Sequence, residues 1–264
     1  MELDRYVPRQ SPAHRADARL KVVLAIAAVL GITLLPTGAF GAYLLVWLVL
    51  TGVSTLARLG PSRLVRGSWV VLPFVAVALP LLFTRPGEPL LSIDLGPLSL
   101  TITDTGLRDV LSIAAKSWLS VQVALLLTYT TPFSDLIEAL RALRLPAIIV
   151  SIISFMYRYL AVLGDEAGRM NRARRSRSAA APEGRSGGSL GWRARVTGAM
   201  VGSLFIRSYE RSERIYAAML ARGFRGQWQQ AQVARPDQRA LTGFLVALMA
   251  IAVFVVAANL WAAR

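Results

Sequence analysis

Few side chains in this sequence are of the types that carry out chemistry, and their spacing favours structural roles. The chain has no cysteine, which excludes disulfides, thiolate metal sites and cysteine nucleophiles. Its one histidine, His14, lies in a polar N-terminal flank and is predicted to be solvated rather than catalytic or metal-ligating. The carboxylates Asp165 and Glu166 lie among arginines, which favours ion pairing over acid–base catalysis. Because no glycine-rich loop with a lysine is present to hold phosphate groups, we expect no ATP-binding site and no catalytic residue on this chain.

Lys116 is a charged residue inside an otherwise apolar stretch. A charge within a membrane span is a candidate functional group by default. A lysine near the end of a span also extends readily to the membrane–water boundary along its apolar stem. Both interpretations of Lys116 stay open from the sequence.

Long apolar runs dominate the rest of the sequence. Apolar residues make up 55% of the chain, and the mean hydropathy is +0.50. Five runs have about the length that crosses a bilayer: Leu20–Leu35, Ala39–Ala57, Ser68–Phe83, Gly106–Thr131 and Ala240–Ala262. The third contains Pro73 and Pro80, which a membrane helix tolerates when neighbours satisfy the freed carbonyls. The first twenty residues lack the apolar core of a cleavable signal peptide. The pattern predicts an all-α integral membrane protein with five or six transmembrane helices.

The arginines and lysines are distributed unevenly between the connections. The segment Pro132–Arg239 has eighteen arginines against eight acids, whereas Thr84–Thr105 has one arginine against three acids. Because cytoplasmic loops carry the excess of basic residues, we expect a multi-pass protein of a bacterial cytoplasmic (inner) membrane with its N-terminus in the cytoplasm. The predicted organisation is four membrane helices in 1–131, a cytoplasmic region in 132–239 and a last membrane helix in 240–264.

The segment Pro86–Thr103 alternates apolar and polar residues around Gly96-Pro97. Such alternation with a turn signal fits a short pair of strands. An irregular surface loop is the equally weighted alternative.

Two long helices are predicted within 132–239, after a short amphipathic helix over Phe133–Leu145. The first runs from Pro146 to about Ser178, and its apolar part is interpreted as too short to span a bilayer. We expect it to lie along the inner leaflet and then project into the cytosol. A flexible connection over Ala179–Gly191 precedes the second helix, which runs from about Trp192 to Ala221 and ends at Gly223 in a left-handed cap.

Each long helix carries two glycines at a spacing of four. Glycines so placed let two helix backbones approach closely, so the helices are hypothesised to cross in contact there. The alternative is chance, since the chain has 20 glycines. The glycines are Gly164, Gly168, Gly198 and Gly202.

Each long helix also carries an Ala-Arg pair near its end. Ala173-Arg174-Arg175 lies in the first helix and Ala221-Arg222-Gly223 ends the second. Alanine leaves room for close docking, and an arginine fork stays charged when it is desolvated. A groove lined with carboxylates and carbonyls would suit such an end. The alternative is a solvated basic helix end favoured by the macrodipole and by the distribution of charge.

The sequence resembles the T component of energy-coupling factor (ECF) transporters, most of all the cobalt-type CbiQ/EcfT family. The resemblance covers most of the chain and is most specific in the second long helix. It rests on Phe155–Leu160, Asp165-Glu166, Arg169–Arg177 and Arg207–Gly226, with similarity also in Gly87–Leu90, Leu95–Leu98 and Thr105–Leu107.

This resemblance implies a non-catalytic scaffold subunit of an ATP-driven importer. In that family two long cytoplasmic coupling helices end in short Ala-Arg-Gly-like motifs that dock on two ATP-binding subunits. The implied docking residues are Ala173, Arg174 and Arg175 in the first helix and Ala221, Arg222 and Gly223 in the second. Arg175 stands where the family has glycine. The resemblance also implies that the partners bind ATP and that a separate membrane S component captures the substrate, a transition-metal ion, with cobalt before nickel. It therefore implies no metal ligand and no bound cofactor on this chain.

Other functions remain alternatives at this stage. A permease with its own substrate path would place polar or ionisable groups inside several spans, and only the fourth run, with Lys116, is interpreted as doing so. A membrane-bound signalling or assembly protein would use the same basic helices. The basic stretch Arg172–Arg177 is also of a kind that binds nucleic acid, but contact with the lipid bilayer explains the charge without it, so no nucleic-acid partner is expected.

Overall fold

The computed structural model describes residues 6–9, 11–95, 98–177, 189–224 and 237–262. The chain forms two compact units. One consists of Leu140–Val233, together with Met1–Leu3, and is called here the helical arm. The other, the membrane unit, consists of Asp4–Ala139 and Ala234–Arg264. Apart from the first three residues, the helical arm lies inside the segment 132–239 that the sequence set apart.

The membrane unit is built from helices and one strand pair. Its helices, in chain order, are α1 (Pro12–Arg15), α2 (Ala18–Leu34), α3 (Phe40–Leu56), α4 (Pro61–Gly67), α5 (Leu72–Ala78), α6 (Leu81–Thr84), α7 (Asp104–Thr130), α8 (Phe133–Ala142, whose last residues belong to the arm) and α11 (Gln238–Ala262). The first, second, fourth and fifth apolar runs correspond to α2, α3, α7 and α11. The third run forms a series of short helical segments rather than one regular helix, because Pro73 lies in the first turn of α5 and Pro80 caps α6.

Four described helical segments are long and apolar enough to cross a membrane: Pro61–Thr84, Asp104–Thr130, Ala147–Arg177 and Ala240–Ala262, with the shorter apolar Phe40–Leu56 beside them. This confirms the expected all-α integral membrane fold. One expectation was wrong, however. Ala147–Arg177 contains an 18-residue window of mean hydropathy 1.8, so by length and composition the apolar part of the first long helix is not too short to span.

Helix α7 is the centre of the membrane unit. It begins where the Thr103 hydroxyl accepts a hydrogen bond from the Gly106 backbone N–H, at 3.2 Å. It packs against α2, α3, α4, α5 and α6. Its buried Leu119 and Val123 join Tyr43 and Leu50 of α3 in one cluster. A second cluster lies toward the C-terminal end of α7 and consists of Ala57, Leu59, Leu64, Leu125 and Tyr129.

The strand pair that the alternation predicted is present. Strand β1 (Pro89–Leu95) pairs antiparallel with β2 (Leu98–Thr103), with Asp94 opposite Ser99 and Leu95 opposite Leu98. Gly96 and Pro97, the expected turn, lie outside the described residues. The alternative of an irregular loop is therefore wrong.

The helical arm contains the two long helices, α9 (Ala147–Arg177) and α10 (Leu190–Ala221). Their bounds agree with the sequence prediction to within about two residues. Helix α10 begins where the Ser189 hydroxyl accepts a hydrogen bond from the Trp192 backbone N–H, at 3.3 Å, as helix N-caps commonly do. The predicted connection over Ala179–Gly191 lies mostly outside the described residues.

Helix α8 ends with an arginine in a left-handed conformation. Arg144 has φ 64°, and the Leu145 N–H donates to the Leu140 carbonyl at 3.3 Å. A side chain at this position costs about 1 kcal/mol relative to glycine. Arg144→Gly should therefore raise the free energy of unfolding by about 0.5–1 kcal/mol, measured by denaturant unfolding in detergent. Arg141→Gly, inside the same helix, should lower it by about 1 kcal/mol, and equal effects of the two changes would contradict the explanation.

Candidate coupling site on the two long helices

The end of α10 has a fixed geometry. Gly223 has φ +82°, its N–H donates to the Leu220 carbonyl at 2.9 Å, and the Phe224 N–H donates to the Met219 carbonyl at 3.0 Å. These two bonds form a Schellman motif and confirm the predicted left-handed cap. Arg222 is the C-cap residue and is exposed. The motif thus holds the backbone of Arg222 in place while its side chain stays exposed.

The first Ala-Arg motif is part of a continuing helix. Ala173, Arg174 and Arg175 are all helical, and α9 extends to Arg177. The arginine at the position where the family has glycine is therefore accommodated as an ordinary helical residue. Arg174 is half-buried, and its Nη1 donates to the Thr197 hydroxyl of α10 at 3.4 Å.

The contacts between α9 and α10 show that the helices run antiparallel where they meet. Glu166 of α9 pairs with Arg207 of α10, whereas Arg174, further along α9, meets Thr197, which comes earlier in α10. Arg222 lies 25 residues beyond Thr197, or about 37 Å along a helix. The two Ala-Arg motifs are therefore at well-separated positions along the helix pair.

Glu166 is the acidic residue that joins the two helices. It accepts hydrogen bonds from Arg169 of its own helix and from Arg207 of α10, the latter at 3.1 Å. Its side chain is 16% exposed, against 57% and 60% for the two arginines. The hydrogen bond from Arg169, with the positive charge of both arginines, lowers the pKa of Glu166 from its ordinary value. Ion pairing, expected for this residue rather than acid–base chemistry, is confirmed.

Gly168, Gly198 and Gly202 do not make the helix contact in this structure. Apart from the neighbouring backbone of the same helix, no described heavy atom lies within 4 Å of where a Cβ would stand on Gly198 or Gly202, and on Gly168 it would meet only the side chain of Arg172 in the same helix. The close backbone approach expected at these glycines is therefore not seen. The described contacts between the helices include polar side chains instead, since the four-residue spacing does not determine which face of a helix meets its partner. For Gly164 a helix-crossing role stays a prediction.

Lys116 caps a helix in the membrane unit. Its Nζ donates to the carbonyls of Thr33 and Leu35, at 3.1 Å and 2.5 Å. These carbonyls lie at the C-terminus of α2. The last carbonyls of a helix have no hydrogen-bond partner within the helix, and a positive charge is favourable there. The structure therefore gives this charge a structural role.

Two further polar side chains, which the sequence did not identify, also bind carbonyls at helix ends in the membrane unit. The Asn259 amide, in α11, donates to the Leu34 carbonyl at 3.1 Å. Near the other end of α2, the Lys21 Nζ donates to the Thr130 carbonyl, at the end of α7, and to the His14 carbonyl, both at 3.2 Å. Our interpretation that only the fourth run holds a polar or ionisable group was therefore wrong.

His14 is engaged within the N-terminal segment rather than merely solvated. Its Nδ1 lies 2.7 Å from the Ser11 hydroxyl, and its Nε2 lies 3.1 Å from the Val7 carbonyl. Val7 in turn donates its backbone N–H to the Tyr129 carbonyl at 3.1 Å. His14 thus holds Val7 in place, and Val7 binds the end of α7. Within the described part of the chain, no group of three or more His, Asp or Glu residues is arranged to hold a metal ion.

This fold and these contacts define a multi-pass helical membrane protein with a basic pair of long helices. Residues 9–233 match the model of the family described as cobalt transport protein, CbiQ. The chain belongs to the CbiQ family, whose members are membrane components of transporters and form a non-catalytic class.

Three relatives illustrate the range of this similarity. The chain is 28% identical to the cobalt transport protein CbiQ of Rhodobacter capsulatus, over 70% of this chain and 73% of that one. It is 28% identical to the energy-coupling factor transporter transmembrane protein EcfT of Brevibacillus brevis, over 85% and 84%. It is 30% identical to the nickel permease LarQ of Lactiplantibacillus plantarum, over 69% of this chain but only 58% of that protein.

Proposed function

We propose that this chain is the transmembrane T subunit of an ATP-driven ECF-type importer. The observation that carries the proposal is the pair α9–α10, which forms part of its own compact unit and holds two Ala-Arg motifs at separated positions. A shared family and the EcfT relatives support it. The N-terminus, the basic end of α9 and helix α10 lie on the cytoplasmic side of the inner membrane, as the charge distribution favours.

The docking residues are Ala173, Arg174 and Arg175 on α9, and Ala221, Arg222 and Gly223 on α10. A separation of about 37 Å suits two sites on two ATP-binding subunits better than one site on one subunit. Closure of these subunits on ATP displaces one motif relative to the other. Because α9 and α10 contact at Glu166 and Arg207, the displacement turns one helix against the other, as in a hinge or shear transition.

The substrate is a transition-metal ion, and cobalt is proposed because the family and one relative are described as cobalt transport proteins. Nickel is the second candidate, since another relative is named a nickel permease. A separate membrane S component captures the ion, and the partner ATPases bind ATP, so this chain holds no cofactor. Lys116 and Asn259 are occupied with the carbonyls of α2, which weighs against a permease that conducts the ion past these groups.

Loss of the two motif arginines should abolish ATPase binding. Removing one partner of a buried, hydrogen-bonded charge pair costs about 2–5 kcal/mol, so Arg174→Ala/Arg222→Ala should reduce co-purification of a co-expressed ATP-binding subunit at least tenfold. The matched control is Arg158→Ala/Arg214→Ala, which likewise removes one arginine from each long helix, both of them exposed. The control should retain the ATPase. Retention by the motif variant, or equal loss in both variants, would reject this docking site.

A further inference from the structure

Three arginines lie on or just before the short helix α4 in the membrane unit. Arg58 follows α3, and Arg63 and Arg66 lie on α4; all three are exposed, and we call them the basic collar. Leu64 is only 2% exposed and anchors α4 in the cluster with Leu125 and Tyr129. Packing of Leu64 therefore positions the collar backbone next to the C-terminal end of α7.

Among the residues that the structure describes, no carboxylate forms an ion pair with a collar arginine. The sequence contains no aspartate or glutamate from Ala18 to Gly87. The described ion pairs of the membrane unit are Arg19 with Asp17 at 4.0 Å, Arg85 with Asp109 at 3.1 Å and Arg108 with Asp104 at 3.9 Å, and none of them includes a collar arginine. The collar arginines therefore have no described carboxylate partner, and they present their charge to a negative group from outside the chain.

Apolar side chains next to the collar indicate what kind of outside group this is. Leu56 is 68% exposed, Val65 37% and Trp69 69%. Such side chains are stable in hydrocarbon, and tryptophan is enriched at the boundary between membrane and water. Arginines in such surroundings extend their charged ends to the headgroup level. An occupant of this surface must therefore offer acyl chains and a negative charge together.

We propose that the basic collar binds the phosphate-bearing headgroup of an anionic phospholipid. The planar guanidinium donates two parallel hydrogen bonds to phosphate oxygens, while Trp69 and Val65 contact the acyl chains. An acidic protein surface is a poorer fit, because it would have to cover these apolar side chains at membrane depth. The proposal does not depend on the transport function.

The test uses the purified full chain in phosphatidylcholine vesicles that contain a minor fraction of brominated phosphatidylglycerol or brominated phosphatidylcholine. Bromine quenches nearby tryptophan fluorescence, and the part of the quenching that Trp69→Phe removes reports the collar. Trp69 should be quenched more by brominated phosphatidylglycerol than by brominated phosphatidylcholine, and high salt should remove this lipid preference. Arg63→Gln/Arg66→Gln should lower the preference for the anionic lipid about fivefold per arginine.

The matched control is Arg85→Gln/Arg108→Gln, which removes two arginines that already have carboxylate partners. It should leave the preference unchanged. Where the glutamine variant fails to fold, Arg63→Lys/Arg66→Lys keeps the charge and should keep most of the preference. Equal quenching of Trp69 by both lipids would overturn the proposal, as would equal loss in the control. It would also fail if the collar variant kept its lipid preference but lost the ATP-binding subunit, because the occupant would then be a protein.

Discussion

Reversing the charge of Glu166 should push α9 and α10 apart. Glu166→Arg replaces a carboxylate shared by Arg169 and Arg207 with a third positive charge, so the attraction across the helix pair becomes repulsion. The second change, Arg207→Glu, should restore the contact, because the charges are then exchanged rather than lost. Spin labels attached through Val162→Cys and Ser212→Cys measure the separation directly, and the absence of native cysteine makes the labelling specific.

The functional readout distinguishes this contact from the docking motifs. The Glu166→Arg chain should still co-purify with the ATP-binding subunits, because Arg174 and Arg222 remain, but metal uptake per ATP hydrolysed should fall at least tenfold. Uptake should return in the Glu166→Arg/Arg207→Glu chain. Glu210→Arg, an exposed change on α10, is the control and should alter neither distance nor uptake. A doubly changed chain that stays uncoupled would refute the role of this contact.

The second large effect is expected at Lys116. Lys116→Met removes the donor to the Thr33 and Leu35 carbonyls, and a backbone carbonyl without a partner is costly where water is scarce. The free energy of unfolding should fall by about 3 kcal/mol, measured by denaturant unfolding in detergent micelles. Arg108→Met, on the same helix, removes only an exposed pair with Asp104.

That control should lower the stability by less than about 1 kcal/mol. Similar losses in Lys116→Met and Arg108→Met would mean that α2 does not need this cap. A preserved stability in Lys116→Met would return the lysine to the set of candidate transport groups.

The features that could be predicted well from the sequence are those that depend on residues close together in the chain. Helix α10 could be placed because its length, its N-terminal turn residues and Gly223 are local signals, and the strand pair around Gly96-Pro97 followed from alternation over a short segment. The Ala-Arg pairs are visible in the sequence, but their docking role comes only from the family resemblance. Docking on an ATPase therefore stays a prediction.

Features that depend on distant residues were missed. The Asn259 amide reaches the Leu34 carbonyl across 225 positions of sequence, and nothing local marks Asn259 as a cap. The glycine pairs were assigned to the helix contact on spacing alone, but a spacing does not show which way a face points. Pro73 and Pro80 are visible in the sequence, yet whether a proline bends a helix or divides it depends on the helices packed around it.

Both lysines of the chain bind the ends of neighbouring helices: Lys21 of α2 at the end of α7, and Lys116 of α7 at the end of α2. The only side-chain amines are thus committed to backbone carbonyls at two different ends of the membrane unit. An amine-acylating reagent should therefore react slowly with both while α2 and α7 stay joined. A rise in modification at one lysine alone would report which end of this helix pair has opened, without any engineered label.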